Sequence, residues 1–84
     1  AICAAPSILG RMGILEGKNA TCFPGFEGEL KGAKLADVKQ RVVTDGNIIT
    51  SRGMGTSVDL GLELVKLLAG EEKAEELAVS TQYR

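Results

Sequence analysis

The run Ala1-Ile2-Cys3-Ala4-Ala5-Pro6 constrains the fold more than any other feature of the sequence. Small apolar residues lead into a proline, and proline is tolerated in the first turn of a helix, where its missing N–H is not needed. The run therefore predicts the end of a buried strand that turns directly into a helix. A buried strand needs neighbouring strands, so we expect an α/β fold. Because this strand is already ending, we also expect residues 1–84 to be part of one domain whose N-terminal half lies outside the chain.

Composition excludes several classes of function. The 84 residues are 44% hydrophobic and 25% charged, as in ordinary globular domains, and they include only two cysteines. Without histidine the chain cannot build a Ser-His-Asp triad, a Cys-His pair or a His-containing zinc site, and we expect no metal. The net charge of −1 gives no reason to expect nucleic acid or an anionic membrane. The few cysteines favour a reducing, cytoplasmic setting.

The strand signals are strongest in the middle of the chain. Two β-branched runs, Arg41–Thr44 and Asn47–Ser51, flank Asp45-Gly46, which predicts a β-hairpin with a type I′ turn. A shorter strand is expected from Asn19 to Phe23, before Pro24-Gly25. Phe26–Leu35 is weakly periodic and is predicted to be a loop with at most one helical turn.

Helices are predicted on either side of these strands. A first helix begins at Pro6, continues through Ser7–Met12 and ends at Gly13. A second is expected over Ser57–Ala69, started by a capping box of Thr56 and Asp59, with Gly61 allowing close approach to a sheet. Gly70 ends it, a short helix follows over Glu71–Val79, and Ser80–Arg84 is expected to fray.

The spacing around Cys3 matches small-x-nucleophile-x-small, the pattern of a nucleophile elbow. Ala1 and Ala5 are small enough for a sharp turn, Cys3 would sit before a helix N-terminus that favours a thiolate, and the Ala4 N–H would point toward a forming oxyanion. The alternative is that Cys3 is a small hydrophobic residue in a core. The local pattern leaves both interpretations open.

Three segments in order resemble the DJ-1/ThiJ/PfpI superfamily: Ala1–Pro6, Ala20–Glu27 and Asp45–Thr56. The resemblance covers nearly the whole chain and corresponds to the C-terminal half of the family domain. It implies half of a flavodoxin-like, three-layer α/β/α sandwich with a β-hairpin and C-terminal helices. Family members are mostly dimers or larger assemblies, so the expected partners are a companion N-terminal half, or second polypeptide, and a second copy.

The resemblance implies that Cys3 is a reactive nucleophile assisted by a glutamate that lies outside this chain. It implies action on small aldehydes or their adducts, of the glyoxalase or deglycase type, without a cofactor. A non-enzymatic oxidative-stress sensor or chaperone is the alternative, together with peptidase-like and thiamine-biosynthesis-named members. Ala4 and Phe23 stand where some branches of the family have histidine. A Cys-His peptidase is therefore disfavoured.

The residues around Cys3 are also assigned from the sequence. Phe23, Pro24, Gly53 and Gly55 are expected at the pocket rim. Cys22 points to the face of its strand opposite to Phe23 and is expected to be packed, with a resolving thiol for Cys3 as the alternative. Arg52–Thr56 lacks the Gly-Lys-Ser/Thr ending of a phosphate loop, so nucleotide binding is not expected. The glutamates after Gly70 are interpreted as a solvated helix face.

Overall fold

The computed structural model describes residues 1–84, which form a mixed α/β unit as the sequence predicts. In chain order its elements are α1 (Pro6–Arg11), β1 (Asn19–Ala20), β2 (Lys34–Leu35), β3 (Val42–Asp45), β4 (Ile48–Ser51), α2 (Ser57–Ala69) and α3 (Glu71–Ser80). Single 3-10 turns lie at Glu27–Glu29 and Met54–Thr56. None of the helices has the length and apolar character needed to cross a bilayer.

The strands form one parallel and one antiparallel pair. β1 pairs with β2 in parallel, and β3 pairs with β4 in an antiparallel hairpin whose register matches Val42 to Ser51. The N-terminal segment joins β4 through an isolated parallel bridge between Ile2 and Ser51. The buried Thr50 side chain links β1 to the hairpin, because its Oγ1 accepts the Thr21 N–H at 3.0 Å.

The hairpin forms as predicted, but its turn differs. Asp45 pairs with Ile48, so the connecting residues are Gly46 and Asn47 rather than Asp45 and Gly46. Only Gly46 has a positive φ, 63°, whereas a type I′ turn requires positive φ at both central residues. The type I′ prediction is therefore wrong.

The two shortest strands, β1 and β2, also differ from the prediction. The strand predicted over Asn19–Phe23 is only Asn19–Ala20, because the next N–H bonds to the Thr50 side chain instead of a strand partner. The predicted loop Phe26–Leu35 contains a 3-10 turn and β2, whose parallel pairing no local pattern indicates.

The helices agree with the predicted bounds to within one or two residues. α1 starts at Pro6 and is followed by Gly13 at φ 77°, α2 spans the predicted range, and Gly70 separates it from α3 at φ 99°. The C-terminal tail does not fray: the Tyr83 and Arg84 N–H groups both donate to the Ala78 carbonyl.

Two helix details are corrected. The Thr56 side chain makes no cap hydrogen bond to α2, so the predicted capping box is absent. Its hydroxyl bonds to the Gly53 backbone instead, and the Asp59 carboxylate pairs with Arg41 at 2.9 Å. No atom of residues 1–84 lies within 4 Å of a Cβ built on Gly61, so no element of this chain packs closely against this glycine.

The core lies between α1 and the first strand pair. Four fully or almost fully buried residues form it: Leu15, Ala20, Cys22 and Leu30. Helix α1 reaches this region through Gly10, where a Cβ would stand 2.1 Å from the Glu29 carbonyl oxygen. Helix α1 and the 3-10 turn at Glu27–Glu29 are therefore packed backbone against backbone.

Candidate functional site

Cys3 lies in the sharp turn between the Ile2 bridge and α1, with its backbone in the left-handed region at φ 66°. Left-handed geometry costs an L-residue about 1–2 kcal/mol. Two hydrogen bonds hold it: the Cys3 N–H donates to the Ser51 carbonyl at 3.0 Å, and the Cys3 carbonyl accepts the Phe23 N–H at 2.8 Å. Strain at a partly exposed cysteine, fixed from both sides, is typical of a functional position.

The residue after Cys3 presents an unused backbone donor. The Ala4 N–H donates to no protein acceptor in the structure, whereas the next N–H, of Ala5, bonds to the Ile2 carbonyl at 3.1 Å. The Ala4 carbonyl accepts the Ser7 N–H at 3.0 Å and is also bonded by the Ser7 hydroxyl. The peptide between Cys3 and Ala4 is held at its own oxygen by the Phe23 N–H, and its N–H, that of Ala4, remains able to bind a negative oxygen.

Phe23 and Gly53 lie beside this turn. Phe23 is 46% exposed, and its ring lies 3.4 Å from the position of a Cβ on Gly53. The ring also meets Phe26 edge to face, at a centroid distance of 6.4 Å. Since the Phe23 N–H bonds to Cys3, the structure brings Cys3, Phe23 and Gly53 into one connected group.

The other two predicted rim residues are placed differently. Pro24 lines a cavity of about 30 Å³ together with Cys22 and Arg52. No atom lies within 4 Å of a Cβ on Gly55, and its carbonyl accepts from the Arg41 guanidinium at 2.9 Å. The assignment of Pro24 and Gly55 to the rim remains a prediction.

Cys22 is packed in the core, as expected. It is 4% exposed, and burial raises the pKa of its thiol, with the nearby Glu27 carboxylate adding to the rise and a hydrogen bond to the Phe26 backbone opposing it. A buried thiol that resists ionisation is a poor nucleophile, since the thiolate is the reactive form. The two cysteines therefore differ in exposure and in backbone geometry.

Three hydroxyl residues near the turn were not assigned to the site from sequence. Ser7 holds the Ala4 carbonyl, and Ser51 and Thr56 are buried with their hydroxyl oxygens 2.5 Å apart. Thr56 appeared only as a helix cap. A serine at the end of a β-branched strand is the signal that could have indicated Ser51.

The larger cavities lie elsewhere. One of about 380 Å³ is lined largely by charged residues of α2, α3 and the tail, including Asp59 and Arg84, and also by Tyr83. Another, of about 320 Å³, is mostly apolar and lies between α2 and the hairpin, with Ile48 and Leu64 in its wall. Cys3 lines neither of these two cavities. No group of three or more Cys, Asp or Glu side chains could hold a metal ion.

Comparison with solved structures supports the fold. The crystal structure of Drosophila melanogaster DJ-1beta aligns with a TM-score of 0.89 and 41% identity, over 98% of this chain and 44% of that one. At this identity and similarity the α/β class and the flavodoxin-like fold expected from the resemblance are confirmed.

Sequence relatives agree. Protein DJ-1 homolog A of Arabidopsis thaliana is 46% identical over 79 residues, which are 93% of this chain and 20% of that protein. A protein named deglycase from Pyrococcus abyssi is 39% identical over 67 residues, 80% of this chain and 40% of that protein. The chain thus spans less than half of the length of each of these relatives.

The family model named DJ-1/PfpI matches residues 1–67, which contain the Cys3 turn, the Phe23 segment and the Gly53 turn. With the match extending over most of the chain, this protein belongs to the DJ-1/PfpI family.

Proposed function

We propose that residues 1–84 are the nucleophile-bearing part of a cysteine-dependent DJ-1/PfpI enzyme that acts on small reactive aldehydes or their adducts. The observation that carries this proposal is the left-handed backbone of Cys3, φ 66°, held between Ser51 and Phe23 beside the unused N–H of Ala4. A strained nucleophile next to a preorganised donor suits attack on a carbonyl. The relative named as a deglycase supports the substrate class.

The chemistry requires a thiolate and an acid. The Cys3 sulfur attacks the aldehyde carbon, a C–S bond forms, and the π electrons of the carbonyl move to oxygen. The Ala4 N–H stabilises that oxygen, which then takes a proton to give a hemithioacetal. We propose that the proton comes from a glutamic acid outside this chain, as the family resemblance implies.

The proposal includes the partners that complete the site. A companion N-terminal half supplies the remaining sheet and the acid, and the complete protein associates as a dimer in the cytoplasm. The apolar cavity between α2 and the hairpin, lined by Ile49, Leu60 and Leu64 among others, supports the need for a covering segment.

The second candidate is a non-enzymatic oxidative-stress sensor or chaperone with the same fold. Its support is the same partly exposed Cys3, which two equivalents of hydrogen peroxide would convert to a sulfinic acid while each is reduced to water. Sensing requires oxidation of Cys3 but no turnover of aldehyde.

Labelling tests the nucleophile. In the complete protein, iodoacetamide near neutral pH should alkylate Cys3 faster than Cys22, by about tenfold or more, because Cys22 is buried and its thiol resists ionisation. Peptide mapping by mass spectrometry measures both rates in one sample. Equally slow labelling of the two cysteines would contradict the proposal.

Turnover separates the two candidates. The complete protein should consume methylglyoxal with formation of lactate, a net addition of water, and Cys3→Ser should abolish this while Cys22→Ser retains it. A protein whose Cys3 is rapidly oxidised by peroxide but which consumes no methylglyoxal would instead be a sensor.

A further inference from the structure

We infer that the buried hydroxyl pair, Ser51 and Thr56, positions the nucleophile, an inference that rests on the proposed function. Ser51 is fully buried and Thr56 is 4% exposed. Their hydroxyl oxygens lie 2.5 Å apart, within hydrogen-bond distance. Neither side chain is available to a substrate, so the pair acts through its neighbours.

The Ser51 backbone holds the strand that carries Cys3. Its N–H donates to the Ala1 carbonyl at 3.0 Å, and its carbonyl accepts the Cys3 N–H at 3.0 Å. These two bonds on either side of Ile2 make the parallel bridge between the N-terminal segment and β4. Movement of the Ser51 backbone would therefore move the Cys3 turn directly.

The Thr56 hydroxyl holds the neighbouring turn. It accepts the Gly53 N–H at 3.2 Å. Because the Gly53 carbonyl already accepts the Thr56 backbone N–H at 2.9 Å, the Thr56 hydroxyl proton can go to the Ser51 oxygen. The Ser51 hydroxyl in turn donates to the Arg41 carbonyl at 2.7 Å. Both hydroxyls are thus bonded to backbone at two different places.

These contacts close into a ring. From Cys3 the ring passes to Ser51 by a backbone bond, to Thr56 by the hydroxyl contact and to Gly53 by the turn. Gly53 lies against the Phe23 ring, and the Phe23 N–H returns to the Cys3 carbonyl. The two hydroxyls are the link between the two backbone bonds that hold Cys3 in its left-handed conformation.

Paired substitutions at Thr56 test the link. Thr56→Val keeps the shape and removes the hydroxyl, whereas Thr56→Ser keeps the hydroxyl. The rate of Cys3 alkylation by iodoacetamide is measured as a function of pH in the complete protein. We expect Thr56→Val to lower this rate by about threefold or more at every pH, because small misplacements of reacting groups are costly. Thr56→Ser should restore the rate, and Cys22 should stay slow in both.

Thr44→Val is the matched control. Thr44 lies on the same hairpin and donates its hydroxyl to Glu63 at 2.7 Å on the exposed surface, away from the ring. It should leave the Cys3 profile unchanged. Ser51→Ala is the second variant, and it should slow Cys3 alkylation in the same way if Thr56→Val does not fold.

The outcomes distinguish this inference from the proposed function. If wild-type Cys3 is no faster than Cys22, the proposed function fails. If wild-type Cys3 is fast and Thr56→Val matches it, only the positioning role is overturned. The role is also overturned if Cys3 and Cys22 both become faster, since this reports a loosened fold, or if neither hydroxyl variant folds.

Discussion

At the scale of single residues, Asp45 connects the hairpin to the start of β1. Its carboxylate accepts the Asn19 backbone N–H at 2.7 Å and the Asn19 side-chain N–H at 3.2 Å. The hydrogen bond from the Asn19 backbone is the largest cause of the lowered pKa of Asp45, whose usual value is 3.8. The positive charges of Lys18 and Lys34 lower the pKa further. The ionised carboxylate is therefore the form that stabilises the fold.

Asp45→Asn should lower stability in a pH-dependent way. A folded-state pKa below the unfolded one stabilises the protein above the unfolded value, here 3.8, and this stabilisation is lost as pH falls through the folded pKa. Urea unfolding should show the variant less stable than wild type at neutral pH, with the difference shrinking below pH 3.8. Glu72→Gln, on an exposed part of α3, is the control. An equal loss of stability at all pH values would contradict the electrostatic explanation.

At the scale of elements, two helical glycines have opposite surroundings. On Gly10 of α1 a Cβ would meet the Glu29 carbonyl oxygen at 2.1 Å and the Leu30 Cα at 2.8 Å, and both are backbone atoms that cannot rotate away. On Gly61 of α2 a Cβ would meet nothing within 4 Å. The same substitution therefore tests close packing in one helix and helix propensity in the other.

Gly10→Ala should destabilise the protein by about 1–3 kcal/mol, the usual cost of overpacking. Gly61→Ala should stabilise it by up to about 1 kcal/mol, because alanine is the better helix former. Chemical denaturation of the two variants beside wild type measures both. Stabilisation by Gly10→Ala would show that the contact between α1 and the 3-10 turn is looser than described.

How far an element could be predicted depends on where its partners lie. The bounds of α2 follow from its own apolar residues and from Gly70, and the hairpin follows from its two β-branched runs. β1 and β2 are two residues each and exist only through their mutual pairing, which leaves no pattern within either segment. The prediction of a capping box was wrong because the Thr56 hydroxyl bonds to Gly53 and Ser51 instead of capping α2.

At the scale of the whole molecule, the interior is small. Only 14 of 84 residues are buried, and large apolar side chains such as Met12, Met54 and Leu68 are more than 60% exposed. Two-stranded pairings alone are marginal in water. Together with a chain that spans 44% of the Drosophila structure, this burial supports the proposed companion half.

The candidate site was also only partly predictable. Cys3 and Ala4 follow from a five-residue spacing that depends on local sterics, and the structure adds the positive φ and the unused N–H that this spacing implies. The hydroxyl pair joins residues from a strand end and a helix start, and its link to Cys3 exists only once β4 and the N-terminal segment lie side by side. Such a contact can be found only in three dimensions.

The left-handed backbone of Cys3 lowers the stability of the folded chain. At an ordinary position glycine is less stable than alanine by about 0.5–1 kcal/mol, because it loses more conformational freedom on folding. At φ 66° that order should reverse, since only glycine escapes the clash of its Cβ. We expect Cys3→Gly to be more stable than Cys3→Ala by about 1 kcal/mol in thermal unfolding. A Cys3→Ala variant that is more stable than Cys3→Gly would show that the turn carries no strain. Selection for stability alone would thus favour glycine at this position, and the proposed reaction at the sulfur accounts for a cysteine in this conformation.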